Sequence, residues 1–332
     1  MFIGSRGAFI PRLVWQSLFL VVLIVGLPPM ARAQLAQPLY ERASQLFEKN
    51  EGEEALRVSR KSLEVAEREY GTNDLRLIPH FDQLAYLASK QNQMGEADRV
   101  CRRWIRLIDQ AGKGESPAMV EALWFQTNLH FVQRDSRRAS VPVRKAAAIL
   151  EKHAPVSPIA GEVFQRAGQI HAQLKQWDES GHYYQLALTA HRKAEPPDAR
   201  RVAECLDGLA SVELAAGRTP KAEALLREAL KGMETAYGRD APETAFFLMS
   251  LALALPGKAQ TPEAEALFQR ALTIAATHFG PDDSRTRIIA GNLGQRYLDQ
   301  GKKDLAEPLL QRAGQVRSAS PRNETPSANP TP

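Results

Sequence analysis

Seven histidines and two cysteines are the residues of this 332-residue chain best suited to metal or nucleophile chemistry. His80, His130, His153, His171, His182, His191 and His278 are scattered, and none stands in a His-Glu-x-x-His arrangement or beside a Cys-x-x-Cys. Glu179 and His182 share a face if their stretch is helical, but two ligands do not complete a metal site. Gly112-Lys113-Gly114 and Gly257-Lys258 lack the spaced glycine before the lysine and the Ser/Thr after it that a phosphate loop needs. No Gly-x-Ser-x-Gly elbow occurs. Asp178-Glu179 and Asp282-Asp283 fall where helices should begin, and there a carboxylate serves the positive end of the helix dipole. Cys101 and Cys205 are too far apart in a stacked array to bridge, and read as small core residues. The residue types therefore predict no enzyme, no metal and no cofactor.

The elements that carry these residues repeat. A small residue recurs at steps of 42 or 41 at the same point of an apolar pattern: Ala55, Ala97, Ala139, Ser180, Ala222, Ala264 and Ala306. Twelve residues before a rung of this ladder comes another small residue, with Leu just ahead of it in Leu84-Ala85, Leu209-Ala210, Leu251-Ala252 and Leu293-Gly294. Seven after it comes a third, Ala187, Ala229, Ala271 or Ala313. Leu226, Phe268 and Leu310 lie four after their rungs, on the same helical face. Small residues at these points let two helix backbones approach, and the larger apolar ones fill the space between. A fixed period in the 20–50 range marks units that bury their apolar faces only against neighbours. No stretch alternates with period two, so no strand is expected.

Turn formers followed by caps separate the units, as in Gly71-Thr72-Asn73-Asp74, Glu115-Ser116-Pro117, Ser157-Pro158, Pro197-Asp198 and Gly280-Pro281-Asp282-Asp283. Thr219-Pro220 and Thr261-Pro262 read as a threonine N-cap with proline at the first helical position. Pro142, three after its rung, belongs to a first helical turn or kinks its helix. Pro256-Gly257 ends its helix early.

Segments such as Ala167-Gly168-Gln169-Ile170-His171-Ala172-Gln173-Leu174-Lys175-Gln176-Trp177-Asp178-Glu179-Ser180, followed by Tyr183-Tyr184-Gln185-Leu186-Ala187-Leu188, resemble tetratricopeptide repeats. The longer period, with Tyr237-Gly238 and Ala306-Glu307-Pro308-Leu309-Leu310-Gln311-Arg312-Ala313, is similar to the 42-residue variety of kinesin light chains and many bacterial proteins. The resemblance covers residues 36–317. It implies an all-α fold, a right-handed superhelical solenoid of about seven helix pairs, that works as a non-catalytic protein–protein interaction scaffold. His130 and His171 hold the place where this repeat carries a packing tyrosine, as Tyr297 does.

In such a superhelix the first helix of each pair lines the concave face. The expected partner-binding groove contains Tyr40, Phe47, Asp82, Tyr86, Glu121, Trp124, Asn128 and Phe131 toward its N-terminal end. Gln165, Gln169, Glu204, Asp207 and Ser211 make a polar, mildly acidic middle, and Met249, Leu253, Gly291 and Gln295 the far end. Aromatic anchors dominate binding energy, and Asn and Gln hold an extended backbone. The competing reading is ordinary packing between repeats.

Arg6 and Arg12 precede an apolar run from Leu13 to Leu27, then Pro28-Pro29 and Ala31-Arg32-Ala33-Gln34, the pattern of a secretory signal peptide over residues 1–33 cut after Ala33. The run is about 15 residues, against roughly 20 for a membrane span. The domain reading is residues 1–33 as signal, 34–317 as solenoid and 318–332 as a disordered tail rich in Ser, Pro, Asn and Thr. The expected location is the periplasm or outside the cell; the alternative is an inner-membrane-tethered assembly factor, and a further one a small-ligand-binding or enzyme-associated subunit. Removing residues 1–33 takes away three arginines and no acid, lowering the formal net charge from +5 to +2. That balance gives no electrostatic case for nucleic acid.

Overall fold

A computed structural model describes residues 35–255 and 262–314. The signal segment 1–33, the tail 318–332, Pro256-Gly257-Lys258 and Thr261 lie outside the described residues. Among the described residues there are fourteen α-helices and no strand. They run as α1 (Ala36–Glu48), α2 (Gly52–Tyr70), α3 (Ile78–Lys90), α4 (Met94–Gln110), α5 (Pro117–Val132), α6 (Ser136–His153) and α7 (Pro158–Gln173). Then follow α8 (Trp177–Arg192), α9 (Ala199–Ala215), α10 (Thr219–Tyr237), α11 (Ala245–Ala254), α12 (Pro262–Phe279), α13 (Ser284–Asp299) and α14 (Lys303–Ala313). Short 3-10 turns, Leu75–Leu77 and Pro242–Thr244, lead into α3 and α11. The chain divides into two compact units, residues 1–122 and 123–332.

Every rung of the ladder is on the second helix of a pair, and all seven are fully buried. Their partners twelve residues earlier, Ala43, Ala85, Thr127, Gly168, Ala210, Ala252 and Gly294, are buried on the first helices. The reason for small residues there is the side chain four after the rung, which lies against them. A Cβ on Gly294 would stand 2.9 Å from the Leu310 Cγ, and one on Gly168 equally close to the Tyr184 ring. Seven after the rung the first pair keeps a small residue, Ser62, and the second departs from the rule with Trp104. Ser62 donates to the Ala36 carbonyl at 3.1 Å, and Trp104 fills the core of the first unit with Phe81 and Ile108.

Six of the seven first helices end seven residues before the rung, and the turn that follows is the same each time. The residue five before the rung takes the left-handed conformation: Asn50, Asn92, Arg134, Lys175, Gly217 and Gly301, with φ between 58° and 76°. One residue later, an N–H donates back across the helix end: Glu51 to Leu46, Gln93 to Ala88, Asp135 to His130, Gln176 to His171, Arg218 to Glu213 and Lys302 to Tyr297, at 2.8–3.0 Å. This 6→1 bond after a left-handed residue is the Schellman stop, which satisfies carbonyls the helix leaves bare. The exception is α11, whose last residue is Ala254, ten before its rung. Leu255 is already extended at ψ 131°, the conformation a following proline imposes.

Caps start the helices. Asp74, Asp135, Asp198 and Asp283 each accept from a backbone N–H two or three residues on, at 2.8–3.0 Å. Thr219 is not the expected cap: it is already inside α10, Arg218 precedes it, and Pro220 takes a first-turn place. Pro142 is seven residues into a continuous α6 and buried, beyond the first turn that would have suited it.

Neighbouring second helices are tied by ion pairs 36 residues apart. Arg60 pairs with Glu96 at 2.7 Å, Arg227 with Glu263 at 2.8 Å and Arg270 with Glu234 at 2.7 Å; Arg103 pairs with Glu67, and Arg192 with Glu228. All are open to solvent, and each is worth under about 1 kcal/mol.

Candidate partner-binding face

In the first unit the outward face of α1 and α3 carries a small aromatic group. The Tyr40 ring meets His80 edge-on at 5.5 Å, and Phe47 meets Tyr86 in the same way at 5.5 Å. Lys90 stands 5.4 Å over the Tyr86 ring. Gln83, buried behind them, donates to the Tyr40 carbonyl and to the Ser44 hydroxyl at 2.9 Å each. Tyr40, Phe47, Asp82 and Tyr86 are all partly exposed, so these rings both pack neighbouring pairs together and face solvent. Glu121, near the start of α5, has its carboxyl pushed up to about 7, first by burial and then by the Asp82 charge.

In the second unit α5, α7 and α9 gather a denser set. Arg166 of α7 lies over the Phe131 ring at 4.1 Å and within 6.0 Å of the Trp124 ring. Burial, then the neighbouring Arg201 charge, lowers its pKa. Asn128 donates to the Trp124 carbonyl at 3.0 Å. Gln165 is 2% exposed, so it forms the wall and not the surface, and its amide donates to Glu204 at 2.8 Å. Glu204 also accepts from Arg200 at 3.1 Å and pairs with Arg201 at 3.4 Å. The Asp207 carboxyl is raised by burial and held by the Ser250 hydroxyl of α11, which ties α9 to α11. Glu162, one turn before Arg166, is raised by burial as well.

Tyr184 of α8 is the pillar of this region. Its ring is wedged between two glycines, with a Cβ on Gly168 falling 2.9 Å and one on Gly208 falling 2.3 Å from ring atoms. Burial, the nearby Cys205 thiol and the Asp207 carboxylate raise its hydroxyl.

Of the expected groove residues, Tyr40, Asp82 and Tyr86 lie on one unit and Trp124, Asn128, Phe131, Gln165, Gln169, Glu204 and Asp207 on the other. Gln169 is half-buried on α7, and Ser211 is exposed with its hydroxyl turned back to the Asp207 carbonyl. Met249 is partly buried against Asn292, Leu253 and Gln295 are exposed, and Gly291 is buried. The middle is charge-mixed where the sequence suggested acid: Arg166 and Arg201 sit among Glu162, Glu204 and Asp207. Glu162 had a signal, because Glu121, Glu162 and Glu204 all stand eighteen before their rungs. Arg166 had none in the positions fifteen, eleven and eight before the rung.

Elsewhere the chemistry-bearing residues serve the fold. His171 is 2% exposed with Nδ1 at 2.7 Å from the Gln176 amide oxygen, and His130 is equally interior. His182 stands 3.7 Å from Glu151, away from the metal pair it suggested with Glu179. Ser62 contacts His80 Nδ1 at 2.8 Å inside the core, its proton already given to Ala36. Among the described residues no cluster of three or more His, Cys, Asp or Glu is placed to hold a metal. Cys101 and Cys205 are buried thiols outside any disulfide, Cys101 donating to the Ala122 carbonyl. No helix of the described residues is long and apolar enough to cross a membrane.

A tetratricopeptide-repeat family model matches residues 162–235, 209–275 and 243–317. No curated protein matches the sequence. Among solved structures, the apo form of RapI is 14% identical over 84% of this chain and 96% of its own, with a TM-score of 0.60. A Podosopora anserina kinesin-light-chain structure of nearly identical TPR-like repeats is 16% identical over 62% of this chain and 96% of its own, at 0.53. A Rap protein complexed with Competence and Sporulation Factor is 17% identical over 85% of this chain and 76% of its own, at 0.53. At these identities the likeness is one of fold.

Proposed function

Because this chain is a tetratricopeptide-repeat protein, we propose that it is a non-catalytic scaffold that holds an extended segment of a protein partner along the face of its first helices. The observation that carries the reading is, in the second unit, Trp124 and Phe131 left partly exposed beside Asn128 and Gln169 on the first helices; Tyr40 and Tyr86 are likewise partly exposed on the first helices of the first unit. Partly exposed rings give contact area at little entropy cost, and side-chain amides pair with a peptide backbone. The structural likeness to a Rap protein complexed with its factor supports a partner on this architecture. We place the work in the cell envelope, reached through residues 1–33 as an export signal.

Pull-down from envelope extract with the mature protein, against Tyr86→Ala, Trp124→Ala and Phe131→Ala combined, tests the face. Loss of the partner at unchanged helicity supports it, and equal yield rejects it. The first residue of the purified native protein tests the location: Gln34 supports export with cleavage, and Met1 moves the scaffold to a membrane tether.

A further inference from the structure

We propose that a cleft beside α4, in the first unit, binds a phosphate group carried by a small ester or by a lipid headgroup. It belongs to a second helix and the turn before α3, and shares no residue with the proposed peptide-binding set. Arg103, Arg106 and Gln110 follow one another at three and four residues along α4, and so share a face. With Thr72 and Asn73 from the turn after α2 they line an open cleft of about 170 Å³. Phe81 and Leu107, both buried, make its floor. The turn is fixed at both ends. Gly71, at φ 87°, closes α2 with its N–H on the Glu67 carbonyl at 3.0 Å, and Asp74 accepts from the Arg76 N–H at 2.8 Å.

The polar groups of this cleft have little to do in the fold. Thr72, Asn73, Arg106 and Gln110 make no side-chain hydrogen bond or ion pair among the described residues. Arg103 is the oriented member: it pairs with Glu67, and its guanidinium stands 5.2 Å over the Phe81 ring. Glu67 is thus committed to Arg103, and Asp74 to Arg76 at 2.8 Å. Asp109, three residues after Arg106, turns toward Gly114, where a Cβ would meet its Oδ1 at 3.1 Å. Both charged side chains that line the cleft are therefore cations, joined by one hydroxyl and two amides. Guanidinium groups are the side chains best shaped to hold phosphate oxygens in pairs. A tetrahedral phosphate can accept from α4 and from the turn at once, whereas a planar carboxylate fills a single fork.

The test is calorimetric titration of the full mature protein with glycerol 3-phosphate, beside flotation on phosphatidylcholine vesicles with and without phosphatidic acid. Both are run at physiological ionic strength, where the screening length is about 8 Å and diffuse attraction is weak. The variants are Arg106→Gln and, as a control for net charge, Arg57→Gln on the exposed side of α2, outside the cleft. Circular dichroism checks that each keeps its helices. The wild type is expected to bind at least one probe saturably, with Arg106→Gln weakening it at least fivefold and Arg57→Gln less than twofold. Flotation that needs both phosphatidic acid and Arg106 names a lipid headgroup as the source. Binding of glycerol 3-phosphate without flotation names a free ester. No saturable binding of either probe overturns the site. Equal losses in Arg57→Gln and Arg106→Gln overturn it too, by assigning the attraction to net charge. The first-helix reading stands or falls separately, on its own pull-down.

Discussion

Gly208→Ala puts a single methyl against the least yielding side chain of the second unit. The added Cβ would stand 2.3 Å, 2.5 Å and 2.7 Å from three atoms of the Tyr184 ring. Carbon atoms settle at about 3.5–4.0 Å, so the ring must retreat by more than about 1 Å. Its retreat is limited, because the Cγ end of the ring already sits so close to Gly168 that a Cβ there would touch at 2.9 Å. Overpacking of this kind costs about 1–3 kcal/mol, and a ring held on both sides belongs at the upper end. Replacing a mid-helix glycine by alanine returns about 1 kcal/mol of helix propensity. The net expectation is a loss of about 2 kcal/mol, seen as a fall of about 3–4 °C in Tm for a protein of this size. The sign should reverse when the obstacle is removed. In a Tyr184→Ala background, itself destabilised by the cavity, Gly208→Ala should raise Tm, since only propensity and added packing remain. The assay is thermal melting of the four members of the cycle by far-ultraviolet circular dichroism. A neutral or stabilising Gly208→Ala in the wild-type background, or the same penalty with Tyr184 gone, would refute the wedge.

Burial, then Asp82, holds the Glu121 carboxyl near 7, above its ordinary 4.5, so the folded protein keeps a proton the unfolded one has lost. The stability this group contributes is therefore complete below about pH 4.5 and disappears as the pH rises through 7. Glu121→Gln should flatten the urea midpoint between pH 5 and 8, and an unchanged slope would contradict the assignment. Arg227→Gln removes pairs to Glu263 and Glu223 and should cost about 0.5–1 kcal/mol at low salt. In 1 M NaCl, where the screening length is about 3 Å, that cost should vanish; a salt-independent loss would assign the effect to packing. Lys175→Gly should stabilise by about 0.5–1 kcal/mol, because φ at 58° strains a residue with a Cβ more than the glycine entropy costs. Asn92→Gly at the equivalent turn should change little, since asparagine tolerates that conformation.

The ladder residues are legible in the sequence because burial is the one property the repeat must keep: each small residue sits where two backbones close on a large side chain. The left-handed turn five before each rung is harder to see. Its residues are Asn, Asn, Arg, Lys, Gly and Gly, and only the last two announce it, because the Schellman bonds that enforce the geometry run through the backbone. Thr219 reads as a cap because a Thr-Pro pair suits both sides of a helix start, yet the turn before it has already begun α10. The candidate face is legible as a set of positions and not as chemistry. Spacing from the rung places Trp124 and Phe131 correctly on a first helix. It does not say that Arg166 turns from Glu162 to a ring, or that Gln165 spends its amide on Glu204, because those are choices among neighbours from other repeats.

The short helix α11 gives the C-terminal end of the array a distinct mechanical character. Its missing last turn leaves the final pair to be held by Phe268, Leu293, Tyr297, Leu310 and two alanines, by Arg296 reaching the Ala252 carbonyl at 3.0 Å, and by Tyr297 and Lys302 meeting Glu265 at 2.9 Å and 3.1 Å. Under tension or protease attack, α13 and α14 should therefore peel away as one piece, withdrawing Ile289 from a larger core that the residues from Ala203 to Ala275 keep closed.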